Sequence, residues 1–466
     1  MPDSLLSVAP AVRLVNRFDR AFDNAVATAR TCYSSRGIIS PEEVAGEGEA
    51  PDRQRERRAR RDRLARDLYQ AGHHTTFQHG QFQFALSNVS RHFLWSFLHS
   101  HPFYNSEQVS QRYVAVNAGS YAIPPLAGEA LAVYRATADR MVADYLELCE
   151  ELTPVAREVY FQRFPGRRGD PERWAKEIGK KAQEVARYVL PVATFAYLYH
   201  TVSAVTLFRY WRLCEQFDLP LEQRLVVSHM VEAVLEAEPD YRTVLEEPMA
   251  LEETLEFQAL ERFASGSPRA GGKDFTARFD ASLEGKVSKL VDWKVNNEGT
   301  VAEAVREVLG LTPNRLSDED ALALVLDPRS NRYFGEKLNL TTHSKLSRCL
   351  AHAHYTFRKK ISHSADSQDQ RHRMTPGSRP ILAAQIDGEP DVITPALAAL
   401  EPRVQRLFAT SCERAWEGMS KLKRLGVPAQ EVQYLLPNAV AVRFSESADL
   451  LNLHHKLTMR LCYNAQ

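Results

Sequence analysis

Ser106-Glu107-Gln108-Val109-Ser110-Gln111-Arg112-Tyr113 is echoed far downstream by Ala365-Asp366-Ser367-Gln368-Asp369-Gln370-Arg371-His372, and both runs end in Gln-Arg-aromatic. Upstream of them stand Ser90-Arg91-His92 and Ser347-Arg348-Cys349. Each copy then carries an apolar segment closing in Leu-Pro, Tyr188-Val189-Leu190-Pro191 and Tyr434-Leu435-Leu436-Pro437. An Arg-Leu-Cys triplet follows each, at Arg212-Leu213-Cys214 and Arg460-Leu461-Cys462. Markers in one order, about 250 residues apart, indicate one unit written twice.

The clearest break between the copies is Ser265-Gly266-Ser267-Pro268-Arg269-Ala270-Gly271-Gly272-Lys273, which supplies turns and nothing to bury. The expected division is a first domain over 1–264, a linker over 265–280 and a diverged second domain over 281–466. In the first half Phe82 to Leu86 alternates as a strand does. Arg17 to Tyr33, Arg53 to Tyr69, 128–152, 176–191, 200–216 and 223–237 have helical spacing. In the second half Lys286 to Val295 alternates, and helices are expected at Val301 to Leu309, 344–360, 396–424 and 445–462. The class is α+β, helix-rich, with a mixed or antiparallel sheet in each of two tandem domains.

The 59 basic residues equal the 59 acidic ones, so no global field draws the chain to nucleic acid or to an anionic membrane. An anion site must be local. No basic leader opens the sequence, and no run approaches the roughly 20 apolar residues of a spanning helix, so the cytoplasm is the expected compartment. Six cysteines without a Cys-x-x-Cys pair argue against a disulfide framework and a zinc site, and most are expected to be small core residues.

Two segments carry ligand-type side chains. Gly72-His73-His74-Thr75-Thr76-Phe77-Gln78-His79 clusters imidazole, hydroxyl and amide groups, although by itself it reads better as a capping turn. Ser100-His101-Pro102 through Arg112-Tyr113 is dense in groups that read phosphates and pyrimidine edges: Arg112 can grip an oxyanion with two donors, with Gln108 and Ser110 beside it. The second copy, from Arg358-Lys359-Lys360 to Arg371-His372-Arg373, is more basic and is expected to form a strong local anion site. Arg187, Arg212 and Arg460 fall on segments that look buried, where a guanidinium needs a carboxylate or an anionic ligand.

These residues resemble the flavin-dependent thymidylate synthases. The resemblance rests on Ala29-Arg30-Thr31-Cys32-Tyr33, Gly72 to His79, Ser110-Gln111-Arg112-Tyr113, Arg187-Tyr188-Val189-Leu190-Pro191, Arg212-Leu213-Cys214 and the ending Arg460 to Gln466. The chain departs from the family where the latter has Arg-His-Arg. The first copy offers Ser100-His101-Pro102 there and the second Lys359-Lys360-Ile361; the second also lacks the Gly-His-x-Thr segment, and Gln433 stands in place of the arginine that Arg187 keeps.

The resemblance implies FAD held by His73, Thr75, Gln78 and His101. It implies dUMP held by Gln108, Ser110, Arg112, Arg187 and Arg371, with Arg212 or Arg460 polarising the pyrimidine as the catalytic group, and no metal. The implied reaction is methylation of dUMP to dTMP with methylenetetrahydrofolate as carbon donor and NADPH as reductant, and it requires no nucleophilic cysteine. A homodimer of fused chains would stand in for the family's tetramer, each copy keeping what the other has lost. A related flavoenzyme acting on another uracil nucleotide, or an inactive flavin- or nucleotide-binding protein, are the alternatives that the departures leave open.

Overall fold

The computed structural model describes residues 4–215, 218–264, 268–386 and 388–461. It divides into two compact units. One comprises Met1–Pro268, Gly388–Pro390 and Thr394–Ala439; the other comprises Arg269–Asp387, Asp391–Ile393 and Val440–Gln466. The boundary between them in the first pass of the chain falls inside the stretch expected as a linker. That stretch is helical over Pro268–Ser282, while residues 265–267 lie outside the described residues.

The first unit is built on an antiparallel sheet of order β1-β2-β4-β3, with β1 Ala11–Arg17, β2 Gln81–Ser90, β3 Asn105–Gln108 and β4 Phe195–Ser203. Alternation sends Phe82, Phe84 and Leu86 into the core, as the sequence pattern requires. A bulge between Ser87 and Val89 then shifts the phase. Asn88 takes the positive φ of 58° that this irregularity needs, and asparagine tolerates such a backbone better than most residues. Beyond the bulge Val89 and Ser90 are both buried, and Ser90 caps the helix Arg91–His99.

The long helix Gly128–Arg163 packs against the helix Pro171–Ala186 and against Pro402–Arg424, a second-half helix that belongs to this unit. Gly418 lies so close to Thr137 that a Cβ there would fall 2.6 Å from Thr137 Cγ2. Beside this contact the two Leu-Pro segments meet in an antiparallel bridge at Pro191 and Pro437. Val192 N donates to Leu436 O at 2.8 Å and Asn438 N to Leu190 O at 2.9 Å; Ala193 N donates to Tyr434 O at 2.9 Å and Ala439 N to Tyr188 O at 2.8 Å. Each bond maps onto its partner by a shift of 246 residues, the spacing between Pro191 and Pro437, so the two copies meet here about a local two-fold with the same surface on both sides.

The second unit holds an antiparallel sheet of order β5-β6-β7, with β5 Ser288–Trp293, β6 His354–Ser362 and β7 Ala441–Asp449. The copies share their capping. Ser362 caps His363–Asp369 as Ser90 caps Arg91–His99, and Asp449 caps Leu450–Arg460 as Ser203 caps Ala204–Arg212. Three helical expectations are corrected by these sheets. Residues 200–203, 354–360 and 445–449, expected as parts of helices over 200–216, 344–360 and 445–462, are strand, because pairing with neighbours far away in sequence outweighs local helical spacing.

Within the expected segment 17–33, Arg17 ends β1 and the helix starts at Ala21. Arg53 to Tyr69 lies in the helix Pro51–Gln70, as expected. Cys214, Cys349 and Cys412 are buried, Cys149 is half-buried and Cys32 is exposed; Cys462 lies outside the described residues. Among the described residues no helix is long and apolar enough to cross a membrane.

Candidate functional site

The first unit gathers arginines at the junction of β2, β3 and the turn Arg187–Val189. Glu222, fully buried, fixes the start of the helix Arg91–His99: Ser90 N–H and hydroxyl donate to its two oxygens at 2.6 and 2.7 Å, and Tyr434 OH donates at 2.6 Å. Burial raises the Glu222 carboxyl while these donors oppose the rise. Arg91 follows directly. Its Nη1 donates to Gln108 Oε1 at 3.0 Å and its Nη2 to Val109 O at 2.5 Å, whereas Nε is buried and meets no acceptor among the described residues. Burial, and then the like charge of Arg187, push Arg91 down to about 9.

Arg187 is buried as well. Its Nε donates to Glu184 O at 3.2 Å, and burial pushes it down to about 10, with Arg112 adding in the same direction. Arg112 lies 3.6 Å from the Glu184 carboxylate, which it shares with Lys181 at 3.0 Å. Ser110 Oγ accepts from Arg112 N at 3.3 Å. Asn438, contributed by the second half, donates to Gln111 Oε1 at 3.1 Å and to Arg187 O at 3.0 Å, and Gln183 Nε2 donates to Gln111 O at 2.9 Å. Three guanidiniums, with the Glu184 carboxylate beside Arg112, thus share a partly dehydrated place in which an anion would relieve the repulsion between Arg91 and Arg187 and supply acceptors.

The structure therefore brings Gln108, Ser110, Arg112 and Arg187 into one place. Sequence reading used Arg91 only as a repeat marker and passed over Asn438 and Glu222. The available signal for Arg91 was its position directly after a capping serine at a strand end. Alongside the cluster, the outer face of the sheet carries an open groove of about 780 Å³ lined in part by Arg13, Ser87, Gln108, Val109, Tyr197 and Tyr199.

The other candidates sit apart from this cluster in the sequence and in their contacts. His73 precedes the 3-10 helix His74–His79, in which Phe77 is buried against Tyr69 and Phe208. Thr75 and Gln78, three residues apart, share one face of that turn and are exposed, as is His73. His101 accepts from Phe103 N at 2.9 Å through Nδ1, so its proton resides on Nε2, which lies 2.7 Å from Tyr210 OH. Tyr210 OH in turn lies 3.2 Å from His200 Nε2, and both His101 nitrogens are thereby engaged within the fold. Arg212 is one-third exposed, 3.4 Å from Glu246, with a further bond to Glu247 O.

In the second unit the basic loop is not an open anion site. Lys359 pairs with Glu446 at 2.7 Å, and Lys360 with Asp280 at 2.7 Å; Arg443 pairs with Asp280 at 2.7 Å and also with Asp391. Carboxylates remote in sequence neutralise cations that look unopposed when read along the chain. Arg371 is exposed in the turn that follows the helix His363–Asp369. Arg460 donates to His372 Nε2 at 2.8 Å and to Gln368 O at 2.8 Å, and burial, with Arg460 next, pushes His372 down to about 4. The shift of 246 residues that relates the Leu-Pro bridge and the caps Ser203 and Asp449 pairs Arg460 with Cys214, and Arg212 with Thr458, so the two triplets are out of register by two positions.

A family model described as thymidylate synthase complementing protein matches this chain over residues 13–240 and again over 289–466. The flavin-dependent thymidylate synthase of Sulfurisphaera tokodaii is 32% identical over 120 residues, which cover 25% of this chain and 46% of that protein. The enzyme of the same name from Geobacter sulfurreducens is 31% identical over 121 residues, 25% of this chain and 52% of that protein. The chain thus spans about half the length of the curated relatives it matches. A crystal structure of a UMP/dUMP methylase, PolB from Streptomyces cacaoi with 5-Br dUMP, aligns over 52% of this chain and 98% of its own at 19% identity and a TM-score of 0.35. Matched twice along its length, the chain belongs to the flavin-dependent thymidylate synthase family.

Proposed function

We propose that the protein is a flavin-dependent enzyme that methylates dUMP to dTMP with methylenetetrahydrofolate and NADPH. The observation that carries this reading is the cluster of Arg91, Arg112 and Arg187, of which Arg91 and Arg187 are buried and pushed below the usual arginine range. A nucleotide phosphate is the dianion such a cluster suits. The Arg112 guanidinium and Ser110 hydroxyl bind and orient it, while Gln108, held by Arg91, lines the groove beside it.

The donor set of the turn His74–His79 fits the ribityl and diphosphate groups of FAD: His73, Thr75 and Gln78 present imidazole, hydroxyl and amide groups at a short turn anchored by Phe77. Bound there, the flavin supplies the redox chemistry that the side chains of this chain cannot. His101 bonds to Tyr210 of the helix Ala204–Arg212, whose Phe208 packs against Phe77 of that turn. Arg212 and Arg460 are the groups assigned to stabilise negative charge developing on the pyrimidine carbonyl. A homodimer working in a soluble compartment completes the reading.

A turnover assay with all three substrates tests it. Release of dTMP that needs added FAD and is lost in Arg112→Ala supports the reading. Tight dUMP and FAD binding without turnover would favour the binding-protein alternative, and turnover of a different uracil nucleotide would favour the second enzyme.

A further inference from the structure

The duplication raises the question of how many nucleotide sites one chain carries, and the answer here rests on the reading of the arginine cluster as a phosphate site. Arg91 N donates to Thr194 O at 3.0 Å; His363 N donates to Val440 O at 2.9 Å, and both follow a capping serine. Thr194 and Val440 are again 246 residues apart, so His363 occupies the position of Arg91. By the same shift Gln433 occupies the position of Arg187 and Val192 that of Asn438. Gln433 is buried and spends its amide on Asp218 O and, at 3.5 Å, Gln430 O. The Gln-Arg-aromatic register sets Arg371 against Arg112, and Asp369 against Ser110. Of the groups that build the first cluster, the second copy keeps one arginine and replaces a hydroxyl with a carboxylate.

That carboxylate is part of a buried ion network. Lys456 Nζ lies 2.6 Å from Asp369 and also contacts Glu446; Lys359 lies 2.7 Å from Glu446 and 3.6 Å from Asp369; Arg379 lies 2.9 Å from Asp366 and 3.6 Å from Asp369. Among the described pairs, three cations face three carboxylates. Burial alone would raise Asp369, but Lys456 and Lys359 hold it well below the usual carboxylate range, so it stays charged. An incoming phosphate would meet this fixed negative charge and would have to break pairs that are already satisfied.

We infer that each chain takes up one phosphate-bearing ligand, through the first copy, and that Asp369 closes the second copy to anions. Calorimetric titration of the full chain with deoxyuridylate tests this, alongside Arg187→Ala and the half-exposed variant Arg112→Ala, with thermal melts confirming that each folds. The expected result is one equivalent per chain in the wild type and a loss of affinity of at least tenfold in both variants. Two equivalents per chain, or one equivalent at unchanged affinity in both folded variants, would overturn it. No uptake by the wild type would remove the phosphate-site reading and this inference with it, an outcome distinct from uptake at two sites.

Discussion

Arg91 shows how a residue gains its role from what surrounds it. Two neutral acceptors, Gln108 Oε1 and Val109 O, hold the guanidinium, and its buried Nε is left unmatched. Its charge is disfavoured in the free protein and favoured once an anion arrives. Burial, and then the like charge of Arg187, lower the folded value of Arg91 below that of an exposed arginine, so the guanidinium stays charged but strained, and an anion bound beside it relieves that strain. Arg91→Ala should weaken binding roughly 10- to 100-fold, the equivalent of about 1.5–3 kcal/mol for bonds to a charged group, with the thermal midpoint raised or unchanged because a costly buried charge is removed. Arg112 was legible because its neighbours form a contiguous run. Arg91 was not, since its meaning depends on Gln108 and Val109 across a turn and on Arg187 nearly a hundred residues on.

At the scale of elements, Glu222 and the Leu-Pro bridge join segments from both halves within the first unit. Tyr434→Phe removes one of three donors to a buried carboxylate and should cost about 1–3 kcal/mol, read as a lower midpoint in urea. Gly418→Ala should also destabilise, because the crossing of Gly128–Arg163 and Pro402–Arg424 has no room for a methyl beside Thr137; pairing it with Thr137→Ala should restore most of the loss. The strand β2 and the long helices were readable from periodicity alone. Strands β6 and β7 were not: β7 buries Val442, Phe444, Glu446 and Ala448 on alternate positions, and Glu446 looks like a solvent residue until Lys359 and Lys456 are known to face it.

For the whole molecule, the duplication was visible in sequence as ordered markers, but its consequences were not. The second copy looked like the stronger anion site because its lysines and arginines are adjacent in sequence, while the carboxylates that neutralise them come from residues 280, 391 and 446. Its interior charge network should make the second unit acid-sensitive. Asp369 is held below its ordinary value by the fold, so its contribution is present above about pH 4 and disappears as the pH falls below that. Asp369→Asn should remove this acid dependence and lower the melting temperature near neutral pH. The central claim, that this chain joins flavin chemistry to a uridylate site, is tested most directly by the visible absorption spectrum of the purified protein as deoxyuridylate is added. Flavin bands that shift on addition of the nucleotide, and fail to shift in Arg112→Ala, are the predicted result. A protein that stays colourless with FAD supplied, or whose flavin bands ignore saturating deoxyuridylate, would contradict it.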